Sequence, residues 1–82
     1  MYCIYVIYNK KAGKYYIGQT EDIHVRLEQH NSHIYKSYTA RFPGEWELIH
    51  QESVATRSEA LKREKSLKSG NGRVFVKSII PN

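Results

Sequence analysis

Cysteine, proline and long apolar runs are scarce in this sequence of 82 residues, which contains one cysteine and two prolines. Because a disulfide needs two thiols, the lone Cys3 excludes a disulfide scaffold, a CxxC redox pair and a thiolate zinc cluster. No apolar run approaches the roughly 20 residues that cross a bilayer, and the N-terminus lacks the pattern of a signal peptide. We therefore expect a cytoplasmic protein without membrane contact, stabilised by packing.

Acidic residues are also few, since eight Asp and Glu stand against thirteen Lys and Arg, for a formal net charge of +5. A chain of this length builds only one small core, which predicts a single domain over residues 1–82 and excludes a large multidomain enzyme. With 40% hydrophobic residues and seven tyrosines, it is too apolar for a disordered basic tail. The positive charge favours a polyanionic partner such as nucleic acid, although solubility alone accounts for it equally well.

The N-terminal residues have the pattern of a β-hairpin. Tyr2–Tyr8 is a run of β-branched and aromatic side chains, and Lys14–Gly18 is a second, shorter run. The residues between them include an asparagine and a glycine, which are typical of a hairpin turn. Because side chains alternate along a strand, near-symmetric pairing brings Tyr5 close to Tyr16.

A helix is predicted from about Asp22 to His33, where apolar side chains recur at helical spacing after a candidate N-cap, Thr20. Arg26 and His30 lie one turn apart at the edge of the apolar stripe. Edge positions can line a site, but an ordinary helix pair explains these two residues as well. His30 and His33 are three residues apart without a cysteine nearby, so we expect no zinc site.

A polar segment and a third strand follow. Residues 31–45 predict a loop with room for one helical turn. Trp46–Glu52 then alternates as a strand does, and this alternation places Trp46, Leu48 and His50 on one face.

The C-terminal third predicts a second helix and an ambiguous tail. Thr56 and Glu59 form a capping box at the helix start, and the helix is expected to run to about residue 68. Gly70 is the candidate for a left-handed cap at its end. Residues 73–80 suit either a short helix capped by Asn71 or an edge strand.

Glu64 breaks the pattern of this helix, because it lies between its apolar residues Ala60, Leu61 and Leu67. A buried carboxylate costs several kcal/mol unless a partner compensates its charge. An ion pair with Arg26 or with a nearby lysine would do so, and so would a bound metal ion. The pattern leaves these alternatives open.

Basic and aromatic residues are interleaved at several places, as in Lys14-Tyr15-Tyr16 and Tyr35-Lys36-Ser37-Tyr38. Aromatic faces can stack on bases while cations contact phosphates, although strand propensity and core packing explain some of the tyrosines equally well. The candidate nucleic-acid-binding side chains are Lys14, Tyr38, Arg41, Lys62, Arg63, Lys65, Lys68 and Arg73. Two further cations in the last third, Arg57 and Lys77, are expected to contact phosphates as well.

Four elements in order resemble the GIY-YIG nuclease superfamily. They are Cys3-Ile4-Tyr5, Tyr16-Ile17-Gly18, Arg26-x-x-x-His30 and Ala60-x-x-x-Glu64. The resemblance covers essentially the whole chain and is closest to small stand-alone bacterial proteins similar to the N-terminal domain of a DNA-repair excinuclease. It implies an α+β fold, in which a small antiparallel sheet of about three strands is flanked by helices.

The resemblance implies a metal-dependent endonuclease that hydrolyses phosphodiester bonds in DNA, structure-selective or weakly specific, in repair or recombination. The catalytic residues that it implies are Tyr5, Tyr16, Arg26, His30 and Glu64. Glu64 would hold one Mg²⁺ or Mn²⁺ ion, which prefers carboxylate and water oxygens. Arg26 would stabilise charge on phosphate oxygens, and Tyr5 is favoured as the base with Tyr16 assisting.

Two departures from the family pattern are visible. Cys3 occupies the position of the usual glycine in the first motif, and no clear counterpart exists for the asparagine that often follows the metal-binding glutamate. The alternative function is a non-catalytic nucleic-acid-binding module that acts with a partner protein. RNA as a substrate, a partner protein that supplies specificity, and the oligomeric state are left open by the sequence.

Overall fold

The computed structural model describes residues 1–32 and 38–81, and only the backbone of Tyr38 and Ala40. Its elements are β1 (Tyr2–Asn9), β2 (Lys14–Thr20), α1 (Ile23–Ser32), a 3₁₀ turn (Tyr38–Arg41), β3 (Trp46–Val54), α2 (Arg57–Leu67) and α3 (Gly70–Ile79). The strands form one antiparallel sheet in the order β2-β1-β3. The predicted α+β class and the three-stranded antiparallel sheet are therefore confirmed.

The central strand β1 separates two hydrophobic cores. Ile4 and Val6 lie on one face of the sheet and pack with buried residues of α2 and α3. Tyr5 and Ile7 lie on the other face, with Trp46 and residues of α1. Strand β1 is central because residues 3–7 are all apolar or aromatic, so both of its faces can be buried.

The hairpin between β1 and β2 fixes the relation of the two motif tyrosines. The turn closes through Gly13, which has a φ of +66° and donates its N–H to the Asn9 carbonyl at 2.8 Å. The register pairs Tyr5 with Gly18, so Tyr16 is a diagonal neighbour of Tyr5 on the same face. Their ring centroids are 6.4 Å apart, which confirms the predicted proximity.

A bulge in β3 contradicts the predicted facing of this strand. The register shifts between Val6 and Ile7, because Val6 is paired with His50 whereas Ile7 is paired with Leu48. The extra residue reverses the alternation, so His50 lies on the face of α2 and α3 while Leu48 packs on the face of α1. The expectation that Leu48 shares a face with Trp46 is therefore confirmed, whereas the expectation that His50 does so is wrong.

Helix α1 starts one residue after the predicted Asp22, and its N-cap lies two residues after the predicted one. The Asp22 carboxylate accepts the backbone N–H groups of His24 and Val25 at 3.0 and 3.2 Å, so Asp22 is the N-cap. Thr20 instead uses its hydroxyl in a turn with the backbone of Asp22. The predicted end of the helix at His33 lies outside the described residues.

The C-terminal tail forms a helix that ends at Ile79. Thr56 caps α2 as predicted, but the cap of α3 is Ser69 rather than Asn71. Gly70 is the first residue of α3 and not a left-handed cap, because the positive-φ glycines of the structure lie elsewhere. A Cβ on Gly72 would overlap the Ser66 carbonyl oxygen of α2, so this glycine lets the two helices approach closely. In the described part of the chain, no helix is long and apolar enough to cross a membrane.

Candidate active site

The buried side chain of His30 connects α1 to β1 and to the 3₁₀ turn. His30, in the last turn of α1, lies with Nε2 2.9 Å from the Tyr5 hydroxyl of β1. Its Nδ1 lies 2.6 Å from the Thr39 hydroxyl of the 3₁₀ turn. Each of the three residues is at most 1% exposed. The predicted candidates Tyr5 and His30 are thus in direct contact, and Thr39 contacts the other nitrogen of the His30 ring.

The His30 ring is neutral near pH 7. Its burial, together with the positive charge of Arg26 one turn earlier, lowers the pKa of His30 to about 4. A neutral imidazole has one N–H donor and one lone-pair acceptor. The ring can therefore accept a proton from one hydroxyl while it donates to the other, which is the arrangement that a proton relay needs.

Tyr16 completes an aromatic cluster with Tyr5 and His30. Its ring centroid lies 5.3 Å from that of His30. Tyr16 is partly exposed, whereas Tyr5 is buried. Of the two motif tyrosines, Tyr16 is therefore the one that reaches solvent.

Arg26 lines a cavity that joins the two helical layers across the edge of β2. The cavity has a volume of about 450 Å³, and its lining includes Gln19 of β2, Arg26 of α1 and Arg57 of α2. The carboxylates of Glu21 and Asp22 lie in the same lining. Because two arginines from different helices line it, the cavity offers two cations to an anionic group, beside the two acidic residues.

Glu64 is partly buried rather than embedded in the core. Its side chain is 21% exposed, and one carboxylate oxygen lies 3.0 Å from the Lys68 ammonium. Leu61, which was expected on the buried stripe, is 50% exposed, so the stripe consists of Ala60 and Leu67 with Glu64 at its edge. Of the open alternatives, the structure has the ion pair with a nearby lysine.

The position of Glu64 on α2 gives the direction of its side chain. Arg63 and Glu64 flank the buried stripe on opposite sides, and Arg63 reaches Glu52 on the edge strand β3. Glu64 therefore lies on the side of α2 that faces β2. Arg57 and Lys68 share that side at helical spacing, and Arg57 lines the cavity that contains Arg26.

A second cavity, of about 440 Å³, lies at the other end of this side of α2. It is lined by Tyr15, Tyr16 and Ile17 of β2 together with Lys68 and Arg73. Glu64 thus occupies the helix position between a cavity that contains Arg26 and one that contains Tyr16. Tyr5, Tyr16, Arg26 and His30 thus belong to the layer that contains α1, whereas Glu64 is on α2, which packs on the opposite face of the sheet.

The chemistry of the donor set is compatible with one hard divalent cation. Among the described residues, no group of three or more His, Cys, Asp or Glu side chains could hold a metal ion. Mg²⁺ needs no such group, because it commonly binds through one or two carboxylates and completes its shell with water and substrate phosphate. The carboxylate of Glu64 fits this mode and would be the protein ligand.

The predicted nucleic-acid-binding cations have different surroundings. Exposed ones that line neither cavity are Lys14, Arg41, Lys62 and Lys65. Arg63 forms two hydrogen bonds with the Glu52 carboxylate at 2.8 and 2.9 Å, so its guanidinium is engaged in the fold. The predicted contact of Tyr38 lies outside the described side chains.

Thr39 is the site residue that the sequence did not indicate. It lies in a polar segment without periodicity, nine positions after His30, and no local pattern marks a threonine there as buried. Only its contact with His30 in the folded structure identifies Thr39 as part of the site.

Comparison with known proteins identifies the family of this chain. The protein-family model of the GIY-YIG catalytic domain matches residues 1–77 of the chain. A UPF0213 protein of Staphylococcus epidermidis is 39% identical over 57 residues, which cover 70% of this chain and 68% of that protein. A UPF0213 protein of Staphylococcus aureus is 41% identical over 58 residues, with the same coverage of both chains.

A solved structure supports the same assignment. The solution NMR structure of the UPF0213 protein BH0048 from Bacillus halodurans has a TM-score of 0.54 and 27% sequence identity, and covers 95% of this chain and 84% of its own. The chain therefore belongs to the GIY-YIG catalytic domain family, the nuclease superfamily that its motifs resemble.

Proposed function

We propose that this protein is a metal-dependent endonuclease that hydrolyses phosphodiester bonds in DNA, with structure-selective or weak sequence specificity. The observation that carries the proposal is the buried hydrogen bond between Tyr5 and His30, with the ring of Tyr16 packed beside both. A module that only binds nucleic acid needs surface cations, but it has no use for a neutral histidine bonded to a buried phenol.

The two tyrosines have different roles in this proposal. A general base must contact the proton that it removes, so the partly exposed Tyr16 is the better candidate to face the attacking water. Tyr5 was favoured as the base on family resemblance, but it is 1% exposed and bonded to His30. We assign Tyr5 and His30 to the support of the Tyr16 ring, which packs beside both.

In the proposed reaction, the Tyr16 hydroxyl oxygen accepts a proton from the attacking water while its own proton passes to solvent. The resulting hydroxide attacks phosphorus, the bond from phosphorus to the leaving sugar oxygen breaks, and that oxygen takes a proton from solvent. Negative charge grows on the phosphate oxygens during this step. Arg26 supplies a permanent planar cation for that charge, and Arg57 lines the same cavity.

Glu64 is the proposed ligand of one Mg²⁺ or Mn²⁺ ion. When bound, such an ion supplies positive charge at the phosphate and lowers the pKa of water. The carboxylate pairs with Lys68 in the structure, and Lys68 is 53% exposed, so the ammonium can move into solvent without a large cost.

The proposed contacts to phosphates are exposed cations, both those that line the two cavities and those that line neither: Arg57, Lys68, Arg73, Lys14, Arg41, Lys62 and Lys65. Such contacts position a nucleic acid without reading its sequence, which agrees with weak specificity. The proposal extends to RNA as an alternative substrate, to a partner protein that supplies specificity, and to a role in repair or recombination. A panel of substrates is the first test of these extensions.

The test is cleavage of branched, flapped, single-stranded and duplex DNA, and of RNA, with Mn²⁺, Mg²⁺ or EDTA. We expect cleavage with metal and none with EDTA. Tyr16→Phe, Arg26→Gln and Glu64→Gln should each abolish cleavage, while the exposed Glu28→Gln on α1 should cleave as the wild type does.

The proposal would be overturned if the protein bound nucleic acid but cleaved none of these substrates under any of the metal conditions. That result would favour the alternative, a non-catalytic nucleic-acid-binding module that acts with a partner protein. Cleavage that survives in both Tyr16→Phe and Glu64→Gln would show that the site lies elsewhere.

A further inference from the structure

Thr39 and Tyr5 contact the two nitrogens of one imidazole ring. The Thr39 hydroxyl lies 2.6 Å from Nδ1 of His30, and the Tyr5 hydroxyl lies 2.9 Å from Nε2. The three side chains belong to the 3₁₀ turn, to β1 and to α1, and all are buried. Their contact is therefore a product of the tertiary fold.

A single ring proton couples the two hydroxyls. When Thr39 accepts Nδ1–H, Nε2 has a lone pair and accepts the phenol proton of Tyr5. When the ring proton is on Nε2, both hydrogen bonds reverse. A phenol is a much stronger acid than an aliphatic hydroxyl, so the phenol is the better donor and the threonine oxygen the better acceptor. The first arrangement is thus the favoured one.

The fold holds the Thr39 backbone in place from the side of β3. The indole Nε1 of Trp46 donates to the Thr39 carbonyl at 3.3 Å. The backbone N–H of Trp46 donates to the Asn31 side chain at 2.6 Å, and the amide of Asn31 donates back to the Trp46 carbonyl at 3.0 Å. Because Asn31 directly follows His30, the same hydrogen bonds fix the positions of the 3₁₀ turn and of His30 relative to each other.

We infer that Thr39 is a positioning residue, whose hydroxyl accepts the Nδ1 proton of His30 and thereby leaves Nε2 as the acceptor for the Tyr5 phenol. Thr39 selects the tautomer of the ring and aims it at Tyr5. Its effect on cleavage rests on the proposed function, whereas its effect on the ring does not.

The first test is NMR of the ¹⁵N-labelled histidine ring of His30 near pH 7 in the full chain. We expect a protonated Nδ1 and an unprotonated Nε2 in the wild type and in Thr39→Ser, which keeps the hydroxyl. In Thr39→Val the Nδ1 proton loses its acceptor, so the population should shift toward the Nε2–H tautomer. Thr56→Val is the matched control, because it removes a hydroxyl that caps α2 and leaves His30 untouched.

The second test is cleavage of the substrate found with the panel. Thr39→Val should lower kcat about tenfold or more with an unchanged KM, Thr39→Ser should stay within about threefold of the wild type, and Thr56→Val should lower only the stability. A wild-type spectrum with an unprotonated Nδ1, or ring spectra that are the same in Thr39→Val and the wild type, would overturn the inference. If Thr39→Val does not fold, the wild-type and Thr39→Ser spectra decide.

The two proposals can fail separately. A chain that cleaves nothing, but in which Thr39→Val changes the His30 tautomer, would disprove the nuclease and retain the positioning role. A chain that cleaves DNA while Thr39→Val lowers kcat no more than Thr56→Val does would retain the nuclease and disprove the role of Thr39.

Discussion

A Cβ atom placed on Gly18 would stand 2.6 Å from the hydroxyl oxygen of Tyr5 and 2.8 Å from its Cζ atom. The two residues are paired across β1 and β2. Contacts this short do not occur, so the Tyr5 hydroxyl fits beneath β2 only because position 18 has no side chain. The glycine of the second motif thus maintains the hydrogen bond between Tyr5 and His30.

Gly18→Ala should therefore damage the site and the fold together. The new methyl group must push the Tyr5 ring away from His30, because the neighbouring atoms belong to a packed core. We expect a loss of about 1–3 kcal/mol in the free energy of unfolding, as for other overpacked cores. Cleavage should fall at the same time. Denaturant unfolding and the cleavage assay measure the two effects.

Gly70→Ala is the control for this substitution. A Cβ on Gly70 meets nothing within 4 Å, and the residue begins α3. Alanine there should keep the stability or raise it by about 0.4–1 kcal/mol, because it restricts the unfolded chain. If Gly18→Ala were as harmless as Gly70→Ala, the proposed need for space above Tyr5 would be disproved.

The depressed pKa of His30 predicts that acid destabilises the fold. The pKa falls from 6.5 to about 4 on folding, chiefly because the ring is buried. Between these values the unfolded chain binds a proton that the folded chain does not, so the free energy of unfolding decreases as the pH is lowered from about 6.5 toward 4. The full effect is about 3 kcal/mol, and this group should cause no further loss at lower pH.

Urea unfolding at several pH values checks this prediction. In His30→Gln the loss between pH 6.5 and 4 should be smaller than in the wild type, although the variant is less stable at pH 7. The exposed His24→Gln should keep the wild-type dependence on pH. Equal slopes in His30→Gln and the wild type would contradict the role of His30.

Local sequence patterns correctly predicted those parts of the fold that depend on interactions between residues close in the sequence. The hairpin followed from the apolar run of β1 and its turn, and Thr56 capped α2 because its hydroxyl is placed by neighbouring residues alone. The facing of His50 did not follow, because one extra residue in β3 reverses the alternation and only the register with β1 reveals it.

The candidate site shows the same division. The pairing of the first two strands predicted that Tyr5 lies close to Tyr16, and it does. His30, which was expected at the edge of an apolar stripe, contacts both tyrosines. The sequence could not show which tyrosine is buried, because both lie on the same face of the sheet. Nor could it find Thr39, since the contact with His30 depends on the path of the chain back to the sheet.

Glu64→Gln should separate metal binding from stability. The ion pair that it removes is short, but Lys68 is 53% exposed, and pairs of this kind contribute about 0.3–0.5 kcal/mol. We therefore expect the free energy of unfolding to change by less than about 1 kcal/mol. Metal-dependent cleavage should be lost, because the proposed ligand oxygen is replaced by an amide.

Thermal unfolding with and without Mn²⁺ tests this point directly. A ligand that binds only the folded state raises its stability, so Mn²⁺ should raise the Tm of the wild type and of Glu28→Gln but not that of Glu64→Gln. A loss of several kcal/mol in Glu64→Gln, with cleavage retained, would make Glu64 a structural residue.

The salt dependence of DNA binding should distinguish exposed cations from those engaged in the fold. Lys62 and Arg63 are neighbours on α2, but Lys62 is exposed whereas Arg63 is bound to Glu52. If Lys62 contacts a phosphate, Lys62→Gln should reduce the slope of log K against log salt by about 0.7–0.9. Arg63→Gln should leave the slope unchanged.

Arg63→Gln should instead lower stability, by about 0.5–1 kcal/mol, since it removes two hydrogen bonds to a partly buried carboxylate. The hydrogen bonds from Arg63 are also the main reason that the pKa of Glu52 is lowered, so the variant should raise that pKa. Binding titrations at several salt concentrations and urea unfolding measure the two effects. A reduced slope in Arg63→Gln, with stability unchanged, would mean that Arg63 leaves Glu52 to contact phosphate, as the sequence alone suggested.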